Sequence, residues 1–482
     1  MVCFKKNKKK SDKKKQKTKK VQMKKVSEIN NAVTKYRWVI CGLLFAATTF
    51  NYLDRAVLSI LMPNLRAMFG WTNSDYANII MVFQLTYGVG MLFAGRFIDW
   101  IGAKWGYTIA LTLWTVASTA HAWAVPMGEF FLPAFQLVGL ALPASVIGFM
   151  FARFVLGIGE AGNFPAAIKV TAEWFPRKER SFATGIFNSG ANVGAIVTPL
   201  VTPWIVVNWG WQWAFYLIGG ISIVWVPFWL WLYESPKAML KKGKMNQAEY
   251  DLIHSDNEDV EVKPLKEEKV SWLKLFTYKQ TWSFTIGKFL TDGVWWFFLF
   301  WLPAYLKDQY GMQDMQIMIP LGILYSMTMI GSIAGGWFPA FFIKRGMEPY
   351  QGRMAAMFTI ALLPIVVLFA QTLGAYGWVF PVVLIGVGAS AHQAWSANLF
   401  TTVSDMFPKK AVASVVGIGG MAGAFGGIAI NKIAGWLFDY YEALGDVTVG
   451  YTILFVFCAL AYITTWGIMK LLVPKFTPIK DL

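Results

Sequence analysis

The sequence predicts an all-α polytopic membrane protein with twelve transmembrane helices in two pseudo-symmetric six-helix bundles. Of the 482 residues, 56% are hydrophobic and only 15% are charged, and the mean hydropathy is +0.46. Apolar runs of about 20 residues, the length that spans a bilayer core, recur along the chain, for example at 38–62, 77–98 and 213–231. One soluble core could not cover so much apolar surface, so the bilayer is expected to be the solvent.

The two halves of the chain share sequence landmarks at a constant spacing. Phe175-Pro176, followed by two basic residues, reappears 232 positions later as Phe407-Pro408, and two glycines in each half keep the same offset. Duplicated six-helix halves with a substrate site near the membrane midplane are typical of alternating-access carriers.

The apolar runs divide the chain into a basic tail (1–36), a first bundle (37–233), a polar linker (234–280), a second bundle (281–473) and a C-terminal tail (474–482). An outer loop with a short interfacial segment is predicted around 126–133. The helices are predicted at 37–62, 77–98, 104–125, 139–169, 180–206, 211–233, 281–306, 316–342, 352–372, 376–404, 411–437 and 447–473.

The net charge of +17 comes mostly from the lysine-rich tail before Arg37. Such a run directly before a first spanning helix indicates a cytoplasmic anchor on anionic lipids rather than a nucleic-acid surface. The linker and the short loops predicted on that side are also basic, whereas the loop at 438–450 is acidic, so both termini are expected in the cytoplasm. Three scattered cysteines predict neither a disulfide framework nor a metal site.

Ionisable residues at membrane depth are costly and are therefore functional candidates. Asp54 and Arg55 lie about seventeen residues into the first helix, while Arg153 and Glu160 share one face of the fourth helix. Either Asp54 or Glu160 can take up a proton in one state of a transport cycle and lose it in another. The alternative is a static ion pair that holds the helices together, with Arg153 mainly supporting Glu160.

Polar residues also interrupt two helices of the second half. His392, Trp395 and Ser396 fit a polyhydroxylated ligand, through hydrogen bonds to hydroxyl groups and an aromatic surface, although a histidine bonded to a neighbouring helix remains the alternative. Lys288 and Asp292, four residues apart, are interpreted as an internal ion pair.

For three further residues, both a structural role and a role in the cavity are possible interpretations. Tyr52 and Tyr87 are single aromatics in apolar helices, where packing is the usual role. Asn192, close to Asn188 and Ser189 on the fifth helix, either lines the cavity or ties helices together.

The loop between the second and third helices carries a recognisable motif. Gly95, Asp99, Gly102 and Lys104, within GRFIDWIGAK, resemble the signature loop of the major facilitator superfamily, in which an acidic and a basic residue latch the cytoplasmic gate. Trp100 stands where that loop usually has an arginine.

Several passages look like the anion:cation symporter family of this superfamily. These are NYLDR at 51–55, the stretch from Arg153 to Pro165 and WFP at 174–176 with Glu179-Arg180. Within the family, the passages at 289–303 and 392–398 are most similar to the hexuronate transporters. The resemblance covers nearly the whole chain after Tyr36.

The resemblance implies proton-coupled symport of a hexuronate such as glucuronate or galacturonate. It assigns proton exchange to Asp54 and Glu160, the substrate carboxylate to Arg55, and the sugar to Tyr52, Tyr87 and Trp395. We add His392, Ser396 and Asn192 as cavity residues. The expected carrier is a monomer in the bacterial inner membrane, imports a sugar-acid anion and uses protons rather than a cofactor.

Three alternatives stay open at this stage. The first is another sugar acid, such as galactonate or glucarate. The second is an integral-membrane enzyme, which three histidines in the whole chain make a poor prospect. The third is a nontransporting sugar-acid sensor, which the lack of a sizeable soluble domain disfavours. The sequence does not distinguish proton from sodium coupling.

Overall fold

Helices dominate the computed structural model, which describes residues 33–255 and 272–479. In lipid, a backbone must satisfy its own hydrogen bonds, and long apolar runs do so as helices. Residues 1–32 of the predicted lysine-rich tail (1–36) and residues 256–271 of the predicted linker lie outside the described residues.

The first half contains six spanning segments and one additional helix. The fourth segment consists of two helices that meet at Ala161-Gly162. The helices are α1 (Tyr36–Phe69), α2 (Asn73–Ile101), α3 (Ala103–Ala120), α4 (Ala124–Leu137), α5 (Ala144–Glu160), α6 (Asn163–Trp174), α7 (Arg177–Trp209) and α8 (Trp211–Leu232).

Short helices follow, and then the six segments of the second half, of which the third is broken by a 3-10 stretch at Leu363–Phe369. The short helices are α9 (Pro236–Lys241), α10 (Gln247–His254) and α11 (Trp272–Leu275). The long ones are α12 (Lys279–Tyr310), α13 (Met318–Ile343), α14 (Pro349–Leu362) with α15 (Ala370–Gly374), α16 (Val379–Met406), α17 (Lys409–Ala443) and α18 (Val447–Leu472).

Ten of the described segments are long and apolar enough to cross a membrane by length and composition. The other two of the twelve are α1 and α3. The centre of α1 carries Asp54 and Arg55, and the short α3 includes polar residues such as Thr115 and Ser118. α3 packs inside the first half, and α1 packs both there and against α12 of the second half, so the predicted twelve-helix architecture is confirmed.

The repeated Phe-Pro sequence forms the same turn in both halves. Phe175 is extended (φ −127°, ψ 136°) and ends α6, and Pro176 (φ −62°, ψ 152°) caps α7. Phe407 (φ −107°, ψ 144°) and Pro408 (φ −62°, ψ 147°) do the same between α16 and α17. The internal repeat in the sequence is thus an internal repeat in structure.

The predicted outer loop at 126–133 is wrong, because this stretch is the helix α4. A 3-10 turn at His121–Trp123 joins α3 to α4, which packs on the beginning of α5. At the crossing, a Cβ at Gly128 would overlap the Ala144 carbonyl oxygen, and one at Gly148 would overlap the Ala124 carbonyl oxygen. Small residues let the two backbones touch, as is common between helices in membranes.

The two halves meet at mid-membrane and on the side away from the described chain ends, here called the far side. Across this contact, Asp439 of α17 accepts hydrogen bonds from the backbone N–H groups of Asn73 (2.7 Å) and Ser74 (2.8 Å), at the start of α2. Glu442 pairs with Arg66 and accepts a hydrogen bond from Asn73.

The opposite side, which carries the described chain ends, is here called the terminal side. Gly95, Gly185 and Gly417 lie towards this side on α2, α7 and α17, and no atom lies within 4 Å of where a Cβ would stand on any of them. These three positions are therefore open on the terminal side, whereas hydrogen bonds join the halves on the far side.

Candidate substrate and proton site

Arg55 lies near the middle of α1, where four aromatic rings surround its guanidinium group. The Cζ atom is 4.7 Å from the ring centroid of Tyr52, 5.2 Å from Phe83, 4.7 Å from Tyr87 and 5.4 Å from Trp296. Trp296 belongs to α12 of the second half, so this aromatic cage spans the contact between the halves. Aromatic faces attract a cation electrostatically, and they help to hold a charge that is only 2% exposed.

Glu160, the last residue of α5, neutralises Arg55. Its Oε2 accepts hydrogen bonds from Nε of Arg55 at 2.9 Å and from Nη2 at 2.7 Å. The side-chain oxygen of Asn51 accepts a longer one from Nη2, at 3.4 Å. Among the described residues, Oε1 of Glu160 is buried with no hydrogen-bond partner, so this carboxyl group has a free oxygen on which a proton can reside.

Arg153 forms no direct ion pair with Glu160 in the described part of the chain, so its supporting role stays a prediction. It donates from Nη1 and Nη2 to the backbone oxygen of Arg55, at 3.3 Å each. The ion-pair partner of Glu160 in the structure is Arg55. Arg153 is fully buried and ties α5 to the backbone of α1 directly beneath the cage.

Asp54 adjoins Arg55 in sequence but faces the interior of the first half. Its Oδ1 accepts a hydrogen bond from Ser118 of α3 at 2.6 Å, and its Oδ2 accepts one from Ser222 of α8 at 3.2 Å. Consecutive helical residues point about 100° apart, which explains why neighbours in sequence have separate surroundings. Neither serine was predicted, because an isolated serine in an apolar helix gives no signal of which carboxylate it faces.

His392 and Trp395 of α16 pack inside the second half around Tyr462 of α18. Nδ1 of His392 lies 2.9 Å from the Tyr462 hydroxyl group, and the imidazole stacks on Trp295 at a centroid distance of 5.2 Å. Trp395 meets Tyr462 edge-on at 5.7 Å and is fully buried. Ser396, on the same helix, is half-buried.

Lys288 and Asp292 lie on α12, with Nζ of the lysine 2.5 Å from Oδ2 of the aspartate. Asn192 is buried on α7 between Gly190 and Gly194, which pack on α1, and its role as a cavity residue stays a prediction.

The loop motif between α2 and α3 places Gly102 at φ +88°, where glycine is favoured. Lys104 pairs with Glu234 at 2.8 Å, and Lys242 pairs with the same oxygen at 3.2 Å. The hydrogen bond from Lys104 lowers the pKa of the Glu234 carboxyl group below its ordinary value of 4.5. The side chain of the predicted gate residue Asp99 lies outside the described part of the chain, while the predicted Gly95 stands in open space.

The site as a whole combines one permanent cation at the contact between the halves with two buried carboxyl groups in the first half. An arginine fork matches the geometry of a carboxylate. A buried carboxyl group changes its protonation state when its partners change. Arg55 with Glu160 and Asp54 can therefore bind an organic anion and exchange protons.

A family model described as Major Facilitator Superfamily matches residues 44–431. The chain is 29% identical over 443 residues to the hexuronate transporter of Escherichia coli K12, covering 90% of this chain and 94% of that protein. It is also 29% identical over 308 residues to the galacturonate transporter of Dickeya chrysanthemi, covering 64% and 83%. Both relatives are transporters, in agreement with the expectation that the chain is not an enzyme.

Among solved structures, a bacterial homologue of the human lysosomal transporter Spinster, in an inward-facing and unoccupied conformation, has the same fold. Its TM-score is 0.68 at 15% sequence identity, and the match covers 92% of this chain and 98% of the other.

Proposed function

The chain belongs to the Major Facilitator Superfamily of transporters, and we propose that it imports a hexuronate such as glucuronate or galacturonate together with protons across a bacterial inner membrane. Two relatives named for these sugar acids support the substrate class. The observation that carries the proposal is the ion pair between Arg55 and Glu160 inside an aromatic cage built from both halves.

Coupling follows from competition for one guanidinium group. Glu160 occupies Nε and Nη2 of Arg55, the donors that a substrate carboxylate would use. Protonation of Glu160 removes its charge, weakens its hold on Arg55 and makes the arginine available to the sugar acid. Because proton and substrate then favour the same state of the carrier, each raises the affinity for the other by the same factor.

Asp54 is the second proton site in this proposal. Its two serine partners come from α3 and α8, so a change in its charge alters how α1 packs against both helices. A proton on Asp54 thereby acts on the packing of the first half. A proton on Glu160 acts on Arg55, the cation that binds the substrate.

We assign contact with the sugar ring to the remaining predicted residues. Tyr52 and Tyr87 flank Arg55 and are placed to contact a bound sugar acid next to its carboxylate. His392, Trp395 and Ser396 serve the same role from the second half in states where α16 faces the cavity. Asn192 on α7 is the further cavity contact that we propose.

With both termini in the cytoplasm, open positions on the terminal side and hydrogen bonds on the far side support an inward-facing state. The basic tail would then lie against the anionic inner leaflet. Import ends in this state, when the bound anion leaves Arg55 and Glu160 pairs with it again.

The test is uptake of radiolabelled glucuronate into proteoliposomes under an inward proton gradient, with galacturonate, galactonate and glucarate as competitors. We expect accumulation that a protonophore abolishes and that galacturonate inhibits more strongly than the other two. If galactonate alone inhibits uptake, galactonate replaces the hexuronate as the proposed substrate. Accumulation that needs sodium but no proton gradient would refute proton coupling.

A further inference from the structure

Asp292 lies on α12, one turn before a residue of the aromatic cage around Arg55. Trp296, one turn further along α12, contributes the ring that lies 5.4 Å from Cζ of Arg55. Residues four apart lie on one face of a helix, so Asp292 lies on the same face of α12 as Trp296, about 6 Å nearer the terminal side. On α1, Tyr52 is displaced from Arg55 in the same direction.

The packing of α17 against α12 leaves space for the Asp292 carboxylate. Gly423 of α17 packs against it, and a Cβ at that position would overlap Oδ2 of Asp292. The same turn of α17 meets the backbone of α12, because a Cβ at Gly426 would overlap the backbone oxygen of Phe289. Any other residue at 423 would displace the carboxylate.

The Asp292 carboxylate is neutralised, but its hydrogen-bond acceptor positions are not all occupied among the described residues. Lys288 is its hydrogen-bonding partner among the described residues, and the two side chains are 7% and 16% exposed. An ionised carboxylate offers about four acceptor positions, so Asp292 can accept further hydrogen bonds. The lysine is itself held in place, with its Nζ 4.7 Å from the ring centroid of Phe400.

The residue next to Asp292 is fixed by aromatic packing. Trp295 stacks on His392 with an interplanar angle of 12°, and His392 bonds to Tyr462. A fixed acceptor beside rigid aromatic rings suits a ligand that carries many hydroxyl groups, because hydroxyl groups donate to the carboxylate and ring C–H groups pack on the aromatic faces.

We propose that Asp292, neutralised by Lys288, accepts hydrogen bonds from hydroxyl groups of the transported anion and selects sugar acids over simple carboxylates. This inference rests on the proposed function, in which Arg55 holds the substrate carboxylate. Lys288 has a defined task here: it offsets the charge of Asp292, which would otherwise repel an anionic ligand.

The test measures binding of glucuronate, and of glucuronates that each lack one ring hydroxyl group, to the purified full-length protein by calorimetry. For the wild type we expect at least one deoxy ligand to bind roughly tenfold more weakly than glucuronate, as the loss of a charge-assisted hydrogen bond implies. In Asp292→Asn that difference shrinks several-fold. The matched control is Asp405→Asn, which alters the ion pair of Asp405 with Arg353 (3.0 Å) elsewhere in the same half.

A second variant guards against a folding defect. Lys288→Met with Asp292→Leu replaces the ion pair by apolar side chains, a change that folded proteins often tolerate. We expect it to fold and to bind glucuronate and the deoxy ligands alike.

Two failures are distinguishable. If the wild type binds glucuronate but both variants keep its ranking of the deoxy ligands, the pair is only structural and the inference is wrong. If the wild type binds no sugar acid at all, the proposed function fails and the inference fails with it.

Discussion

The free-energy cost of burying a charge made three residues of the site predictable from the sequence, namely Arg55, Glu160 and Asp54. Each was predicted because an ionisable group at membrane depth needs a reason to be there. Their partners were harder to predict. Periodicity suggested Arg153 for Glu160, but the structure pairs Glu160 with Arg55, because periodicity defines the face of one helix and not which helix packs against it.

Arg55→Lys tests whether the guanidinium fork itself holds the substrate. Lysine keeps the charge but offers a point donor rather than two parallel N–H groups, so we expect glucuronate affinity to fall roughly tenfold or more. Calorimetry on purified protein measures this, with Arg66→Lys, on the far-side end of the same helix, as the matched control. Equal losses in both variants would contradict a specific role for Arg55.

Glu234 gives a pH-dependent prediction outside the membrane spans. Lys104 and Lys242 both pair with it, and its pKa is lowered mainly by the bond from Lys104. A lowered pKa means that the pairs stabilise the fold above the ordinary glutamate pKa of 4.5 and that this stability is lost as the pH falls through the lower value.

We therefore expect wild type to exceed Glu234→Gln in unfolding free energy by at most about 1 kcal/mol at pH 7, since the pairs are surface-exposed. Thermal unfolding in detergent at pH 7 and at acid pH measures the difference, which should vanish in acid. A difference that persists at acid pH would show that the pairs are not its source.

Among the elements, the helices were predicted where apolar runs are long, and α4 was missed. Its sequence contains Pro126, Gly128 and Pro133, which normally indicate a loop. The helix forms nevertheless, because Gly128 and Gly148 allow a close backbone contact with α5 that compensates for weak local propensity. Such a tertiary contact has no signature in the local sequence.

Gly148→Ala tests this crossing. A Cβ at 148 would overlap the Ala124 carbonyl oxygen, so we expect a loss of about 1–3 kcal/mol in stability and a lower unfolding temperature. Gly42→Ala is the control, because a Cβ at 42 would meet nothing within 4 Å. If both variants unfold at the wild-type temperature, α4 does not depend on close packing.

For the whole molecule, composition and the internal repeat predicted the twelve-helix architecture, whereas the conformational state was not predictable. Both states of an alternating-access carrier use the same helices, and they differ by only a few kcal/mol. The contacts that close the far side join residues distant in sequence, such as Asp439 with Asn73 and Ser74. Their pairing can be seen only once both halves are placed.

Asp439→Asn tests the far-side closure. The carboxylate caps the N-terminus of α2, where a negative charge contributes roughly 0.3–1 kcal/mol. Its loss should reduce the ratio of molecules with a closed far side to molecules with an open far side by up to about fivefold. Spin labels at Met68 and Leu444, which are 59% and 64% exposed on opposite halves, would report a larger population of long distances.

Asp446→Asn is the matched control, since Asp446 caps its own helix α18 through Thr448. If the two variants give the same distance distribution as the wild type, Asp439 does not stabilise the closed far side.

Coupling in the proposed cycle depends on one claim, that Glu160 and the substrate carboxylate compete for Arg55 under the control of a proton. The most direct measurement compares glucuronate exchange and proton-driven accumulation in proteoliposomes containing wild type or Glu160→Gln. The claim predicts that the variant still exchanges external for internal glucuronate, because Arg55 is released permanently, but no longer accumulates it under an inward proton gradient. Accumulation by Glu160→Gln at the wild-type level would contradict the account.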